Sequence, residues 1–312
     1  MKIFANTPVA AMLALAALIG LSFILPDWAL FLITIALAKG LVSLGIVTQM
    51  RAGLVSFGQG LFFGIGAYVA GLMAHFVGVT DILLLTLLAV LATGLVGVVF
   101  GPLLAKYRGI FFAMLSLSLS MILYGTMSKM TSLGGTDGLN VAAPTFLGYQ
   151  PEARALSLSL YLYTVVVTVI AGTLARTYFD SQQGMISLAI RSNELRVEYL
   201  GASVRRAHTQ NYIISAILGG LGGVITALAI GHVDPESAIY WTISGEFVFV
   251  AILAGYLSIP AVFAASIILE LVRSFSNLYF PNTWQLALGV FLLIVILTLP
   301  NGLGSLLQRR RA

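Results

Sequence analysis

DSQQGMISLAIRSNELRVEYLGASVRR, residues 180–206, is the one long charged island in a chain that otherwise reads as membrane. Within it Met185, Leu188, Ala189, Leu195, Val197 and Leu200 recur at helical spacing, with Arg191, Glu194, Arg196 and Glu198 between them. A single amphipathic helix is therefore expected from Met185 to Leu200, stopped by Gly201 and followed by Arg205 and Arg206. A short amphipathic helix between two spans has two physical uses, as a docking surface for a soluble partner or as a float on lipid headgroups. The pattern alone leaves both open.

Outward from this island the composition sets the class. Of 312 residues, 59% are hydrophobic and 9% charged, at a mean hydropathy of +1.02. A soluble domain carries about 25% charged residues, so an all-α polytopic membrane protein is expected. The chain has no cysteine, which removes disulfides, thiol catalysis and cysteine-bound metals. His75, His208 and His232 are far apart in sequence, so no metal centre is expected. The net charge of +5 does not signal nucleic acid, because the basic residues fall in short loops beside apolar runs, where membrane orientation requires them.

Apolar runs mark about ten spans: 9–25, 28–48, 54–76, 81–104, 108–129, 157–178, 208–230, 242–256, 260–278 and 283–299. The first has the charged start and apolar run of a signal peptide but no small-residue cleavage site, and reads as a retained helix. Gly interrupts the third and the eighth is short, so both can be irregular only where neighbouring protein satisfies their backbone. With the N-terminus inside, Lys2, Arg51, Lys106, Arg108, Arg176, Arg191, Arg196, Arg205, Arg206 and Arg309 to Arg311 fall on the cytoplasmic side. Lys129, Arg154 and Arg273 fall outside and Lys39 lies within the second span, so both termini and the loop 180–206 are expected in the cytoplasm.

Three further stretches hold candidate residues. GLVSFGQGLFFGIGAYVAG, from Gly53, carries Gly58, Gly60, Gly64, Gly66 and Gly71, which permit either close helix contact or a smooth pore wall. The external loop 130–156 opens with LGGTDGLNVAAP, a tight backbone structure that can turn its amides toward a small anion or serve as a surface turn. Glu246, near the outer start of the eighth span, reads as a helix N-terminal cap, the alternative being contact with a ligand ammonium. Ser116, Ser118 and Ser120 are expected to bond back to their own helix, and Glu270 with Arg273, three apart, to neutralise one another. Asp234 and Glu236 read as solvated acids. No G-x-x-x-x-G-K-[ST] motif occurs, so the chain is not expected to hydrolyse ATP.

AIRSNELRVEYLG resembles the EAA-type coupling loop of bacterial ABC importer permeases in the branched-chain amino acid, LivM-like, family. The resemblance covers about residues 30 to 307, in four motifs in family order. It implies that Ala189, Arg191, Asn193, Glu194, Leu200 and Gly201 lie at the contact with a cytoplasmic ATPase. The run S-x-G-Q-x-x-F-F-G-I-G-A-Y is similar to one near the family's translocation path and carries that role to Ser56, Gly58, Gln59, Gly64, Gly66 and Tyr68. Gln59 stands where many relatives have His, so no titrating side chain is expected there. The GGTDGL element is similar to one at the external end of that path, which adds Gly134, Gly135, Thr136, Asp137 and Gly138. Tyr256, Leu257 and Pro260 depart from the family's Gly-rich turn, and Pro300 begins a C-terminal P-x-G-L similar to the family's.

The resemblance also implies one permease domain over residues 1–312 with a BtuC-like, type II importer arrangement in the bacterial inner membrane. It implies a second, LivH-like permease, two ATPase subunits that bind ATP and Mg, and an external substrate-binding protein. No cofactor is expected on this chain, and its partners are those subunits and membrane lipid. The function implied is inward movement of branched-chain or other hydrophobic amino acids by ATP-driven alternating access. Urea, short amides or small organic acids are the alternative substrates, and an ATP-independent secondary transporter is the rival class.

Overall fold

A computed structural model describes residues 7–22, 25–281, 283–299 and 302–305. Lys2, Pro300 and Arg309 to Arg311 lie outside the described residues. The described chain is almost entirely helical: α1 (Thr7–Leu21), α2 (Asp27–Met50), α3 (Gln59–Leu72), α4 (Ile82–Leu104), α5 (Gly109–Lys129), α6 (Ala153–Asp180), α7 (Gln182–Ser192), α8 (Glu194–Tyr199), α9 (Val204–Ile230), α10 (Pro235–Ala238), α11 (Trp241–Ala254), α12 (Ile259–Tyr279) and α13 (Trp284–Thr298). Among the described residues, eight stretches are long and apolar enough to cross a membrane, and α1 and α13 hold shorter apolar helices. The all-α polytopic class is as the composition predicts.

The centre is α2, α3 and α9. The α2 sequence is apolar all round, and it is buried along almost its whole length between α9, α12, α6 and α11. Helices α4 and α5 keep the opposite pattern, with Leu87, Leu91, Leu95, Ile110, Phe111 and Met114 turned outward as a lipid-facing surface requires. Between α3 and α9 the backbones touch. A side chain on Gly66 would overlap the Gly220 carbonyl, and one on Gly223 would overlap the Phe63 carbonyl. Small residues allow such contact where the hydrophobic effect offers no force between helices.

Of the two spans expected to be irregular, the third is so. The third begins its helix only at Gln59, after a non-helical stretch, and ends in a π turn at Met73–Val77. The eighth is a continuous α11 over most of the expected 242–256, but the apolar stretch it belongs to starts earlier, at α10, and is broken before it at Ile239 and Tyr240. Side-chain hydroxyls satisfy the freed backbone groups. Phe57 N–H donates to Ser116 Oγ at 3.3 Å, Gly58 N–H to Ser56 Oγ at 3.2 Å and Gly60 N–H to Ser244 Oγ at 2.9 Å. Ser120 Oγ donates to the Ile239 carbonyl at 3.0 Å. Ser116 and Ser118 bond back to Ala113 and Met114 as expected, but Ser116 also accepts at the first break, and Ser120 donates across to the second in place of its own helix.

At the end of the bundle away from α7 and α8, β1 (Leu139–Asn140) pairs antiparallel with β2 (His232–Val233). This two-residue ribbon ties the loop after α5 to the loop after α9.

Candidate functional site

The amphipathic island folds as two helices. Asn193 is extended (φ −162°, ψ 104°), and its Oδ1 accepts the Arg196 N–H at 2.9 Å. An uninterrupted helix would give that N–H to the Ser192 carbonyl. The cap therefore replaces the continuous helix expected from Met185 to Leu200. Gly201, at φ +84°, turns the chain away after α8 as expected.

The break also redistributes the stripe. Ile190 and Val197 pack inward on Val204 and Ala207, while Ala189 is exposed. Met185, Leu195, Tyr199 and Leu200 are left uncovered by this chain, with Tyr199 at 89% and Leu200 at 81% exposure. Single exposed apolar residues are ordinary, but three in six residues on α8 and its end, with Met185 on α7, leave an unusual amount of apolar surface for partners to cover.

Arg191 and Glu194 face the membrane helices. Arg191 Nη1 donates to the Met50 carbonyl at 2.9 Å, and its guanidinium lies 3.6 Å from the ring centroid of Tyr256. Glu194 Oε1 accepts from Arg108 Nε at 2.7 Å, and Arg108 Nη1 also holds the Ala105 carbonyl at 2.6 Å. Tyr178 OH donates to Asn211 Oδ1 at 2.7 Å, and Asn211 Nδ2 to Ser187 Oγ at 3.1 Å, which fixes α7 to α6 and α9. Beside them Arg51 lies 4.3 Å from the Phe179 ring centroid; burial lowers its pKa from the ordinary value, and Asp180 opposes that shift. Met50, Arg108 and Tyr256 were not among the expected site residues. Arg108 counted only as a loop cation and Tyr256 only as a stiff junction.

The residues expected near the path are packed inside the chain. Ser56, Gly58, Gln59, Gly64, Gly66 and Tyr68 are all buried, and a Cβ on Gly58, Gly64 or Gly66 would overlap Ser116, Ile239 or Gly220. Gln59 Nε2 bonds Ser215 Oγ, and Gln59 Oε1 and Tyr68 OH are buried polar atoms with no protein partner. Of the two readings of this glycine-rich span, close helix contact is the one its surroundings fit.

The turn at 134–138 is closed on itself. Gly134 N–H donates to Thr131, Gly135 N–H to Met130 and Gly138 N–H to Gly134, at 3.2, 3.1 and 3.0 Å. Three of the loop's amides are thereby used within it, which fits the surface turn of the two readings. Gly134, Gly135 and Gly138 have φ of +91°, +56° and +75°, a conformation that favours glycine. Thr136 and Asp137 are exposed, 3.5 Å apart through their side-chain oxygens. Asp234 is a cap, accepting the Ser237 N–H at 2.8 Å, rather than a free solvated acid.

Glu246 is not at a helix start. It is the sixth residue of α11, 9% exposed, and its Oε2 accepts from Arg273 Nη1 at 2.9 Å and from Lys39 Nζ at 3.5 Å. Lys39, 8% exposed, donates to Glu270 Oε2 at 2.9 Å. The cap and the Glu270–Arg273 pair are both corrected. Each of those two partly buried α12 residues takes a partner on another helix, because the buried Lys39 and Glu246 need a counter-charge and offer a fixed partner in place of a flexible neighbour on the same face. The result is one cluster across α2, α11 and α12, beside a cavity of about 380 Å³ at the end of the bundle away from α7.

The protein family described as branched-chain amino acid transport system / permease component matches residues 28–298. Two curated relatives are similar, both described as the high-affinity branched-chain amino acid transport system permease protein LivM. The one from Escherichia coli (strain K12) is 26% identical over 299 residues, covering 86% of this chain and 68% of its own. The one from Salmonella typhimurium (strain LT2) is 26% identical over 280 residues, covering 81% of this chain and 64% of its own. The chain thus spans about two thirds of the length of these relatives. No solved structure matches it.

Proposed function

Because the chain belongs to the branched-chain amino acid transport system permease family, we propose that it is the membrane subunit of a bacterial ABC importer for branched-chain or similar hydrophobic amino acids. The loop 180–206 is then cytoplasmic and docks a partner ATPase. ATP and Mg are bound and turned over on that partner, while a second permease and an external binding protein complete the assembly. This reading follows the resemblance of the coupling loop and the naming of the similar proteins.

The observation that carries it is the two-sided build of α7 and α8. Met185, Leu195, Tyr199 and Leu200 face away from the chain, while Arg191 and Glu194 grip it. An apolar projection is suited to a groove on a soluble domain. A rigid attachment behind it is suited to passing on that domain's movement. Through Arg191 the element holds the end of α2 and the junction between α11 and α12; through Glu194 it holds the turn between α4 and α5. ATP-driven closure of the ATPases would displace α7 and α8, and these ties would move the helices that line the path. Arg191 and Glu194 thus act as transmission residues, and the apolar tip makes the docking contact.

The test is uptake of labelled leucine into proteoliposomes holding the chain with its partner permease, ATPases and binding protein. Uptake that requires ATP is the expected result. ATP hydrolysis with no leucine uptake would keep the importer and move its substrate to urea, amides or small acids. Leucine uptake without ATP would overturn the ABC reading.

A further inference from the structure

The cavity beside the charge cluster, at the end of the bundle opposite α7, is lined by the charged Lys39, Glu270 and Arg273 and by the apolar Ile35, Phe63 and Ile243. At about 380 Å³ it lies within the range of small-molecule sites. Glu246 does not line the cavity, but its single oxygen Oε2 is shared by Lys39 and Arg273. One carboxylate therefore fixes the positions of two cations, while the second carboxylate, Glu270, also holds Lys39 at 2.9 Å.

We propose that this cavity is a transit subsite for a zwitterionic amino acid. The α-carboxylate would lie between Lys39 and Arg273, the α-ammonium against Glu270, and the side chain along Ile35, Phe63 and Ile243. Glu246 is a positioning residue for the two cations. The assignment rests on the amino acid reading above and adds to it a place and a selectivity rule.

The rule follows from charge balance. Two cations and two carboxylates sum to zero, and a zwitterion also sums to zero. It can exchange into the cluster, taking Glu270 and the cations as partners, without leaving a net charge beside Lys39 and Glu270, whose side chains are 10% and 14% exposed. A carboxylic acid or an amine of the same shape brings one unpaired charge, and an unpaired buried charge is heavily penalised. The cluster would thus reject both half-molecules of its own substrate.

Because the chain has no cysteine, a Ser274→Cys variant places a single thiol of this chain on the cavity wall. Its rate of labelling by N-ethylmaleimide would be measured in the complete transporter, with the labelled chain resolved from its partners. Leucine is expected to slow labelling at least fivefold, while isovalerate and isoamylamine at the same concentration leave it unchanged. In a Lys39→Met/Glu270→Leu background the protection by leucine is expected to vanish, and labelling without leucine reports that the cavity is still formed. Equal slowing by all three compounds would reduce the site to an apolar pocket and overturn the proposal. So would absence of protection in vesicles that take up leucine with ATP. If ATP-driven leucine uptake itself is absent, the amino acid reading falls, and this inference falls with it.

Discussion

Lys39 is a lysine in the middle of a hydrophobic span, and its two carboxylate partners account for its presence there. Replacing it with Met leaves Glu270, whose side chain is only 14% exposed, without the cation it bonds. Removing one partner of a buried pair costs about 3–5 kcal/mol, whereas replacing both with apolar groups is often neutral. We expect Lys39→Met to lower the thermal stability of the purified protein markedly and Lys39→Met/Glu270→Leu to recover most of it, because the double variant keeps Glu246 with Arg273. Equal losses in both variants would mean that the cluster does not act as paired charges. None of these pairings was legible in the sequence. Glu246 is 207 residues from Lys39 and Glu270 is 231 away, and no periodicity connects them. The local rule that residues three apart on a helix attract one another pointed instead to Glu270 with Arg273, and tertiary partners overrode it.

Among the elements, α7 and α8 show both what a pattern gives and what it omits. An amphipathic segment between two spans was readable from spacing, and its end at Gly201 from the residue itself. The interruption at Asn193 also had a signal, since Asn followed by Glu194 is a helix start, but the apolar period ran through it and masked it. The inward aim of Arg191 and Glu194 had no such signal, because a charge on an amphipathic helix reads the same whether it meets water, a partner or the chain's own carbonyls. The Glu194–Arg108 pair is about one third exposed on each side, 35% and 34%. A pair this exposed contributes at most about 1 kcal/mol to stability. Glu194→Gln and Arg108→Gln should therefore leave thermal stability and ATPase assembly nearly unchanged while uptake per ATP hydrolysed falls severalfold. Uptake and hydrolysis falling in the same proportion would argue against transmission through this pair.

For the whole molecule, the composition and the apolar runs were enough to give a helical membrane protein, and the glycine pattern was enough to anticipate intimate helix contact. Which helices touch was not, because Gly66 and Gly220 are brought together only by the crossing of α3 and α9. The orientation read from the basic residues can be tested on the same cysteine-free background. A cysteine at Tyr199 should react with a membrane-impermeant maleimide only from the cytoplasmic face, and one at Thr136 only from the external face. Labelling of both from one side would reverse or break the expected topology.

The uncovered tip of Met185, Leu195, Tyr199 and Leu200 bears on more than transport. A copy synthesised without its docking partner shows that tip to water, and an unshielded apolar projection is what surveillance proteases and chaperones recognise in an orphan subunit. On the docking role proposed, the amount of this permease in a cell is then set by the supply of the ATPase that shields it, so that subunit stoichiometry is kept by survival as well as by synthesis.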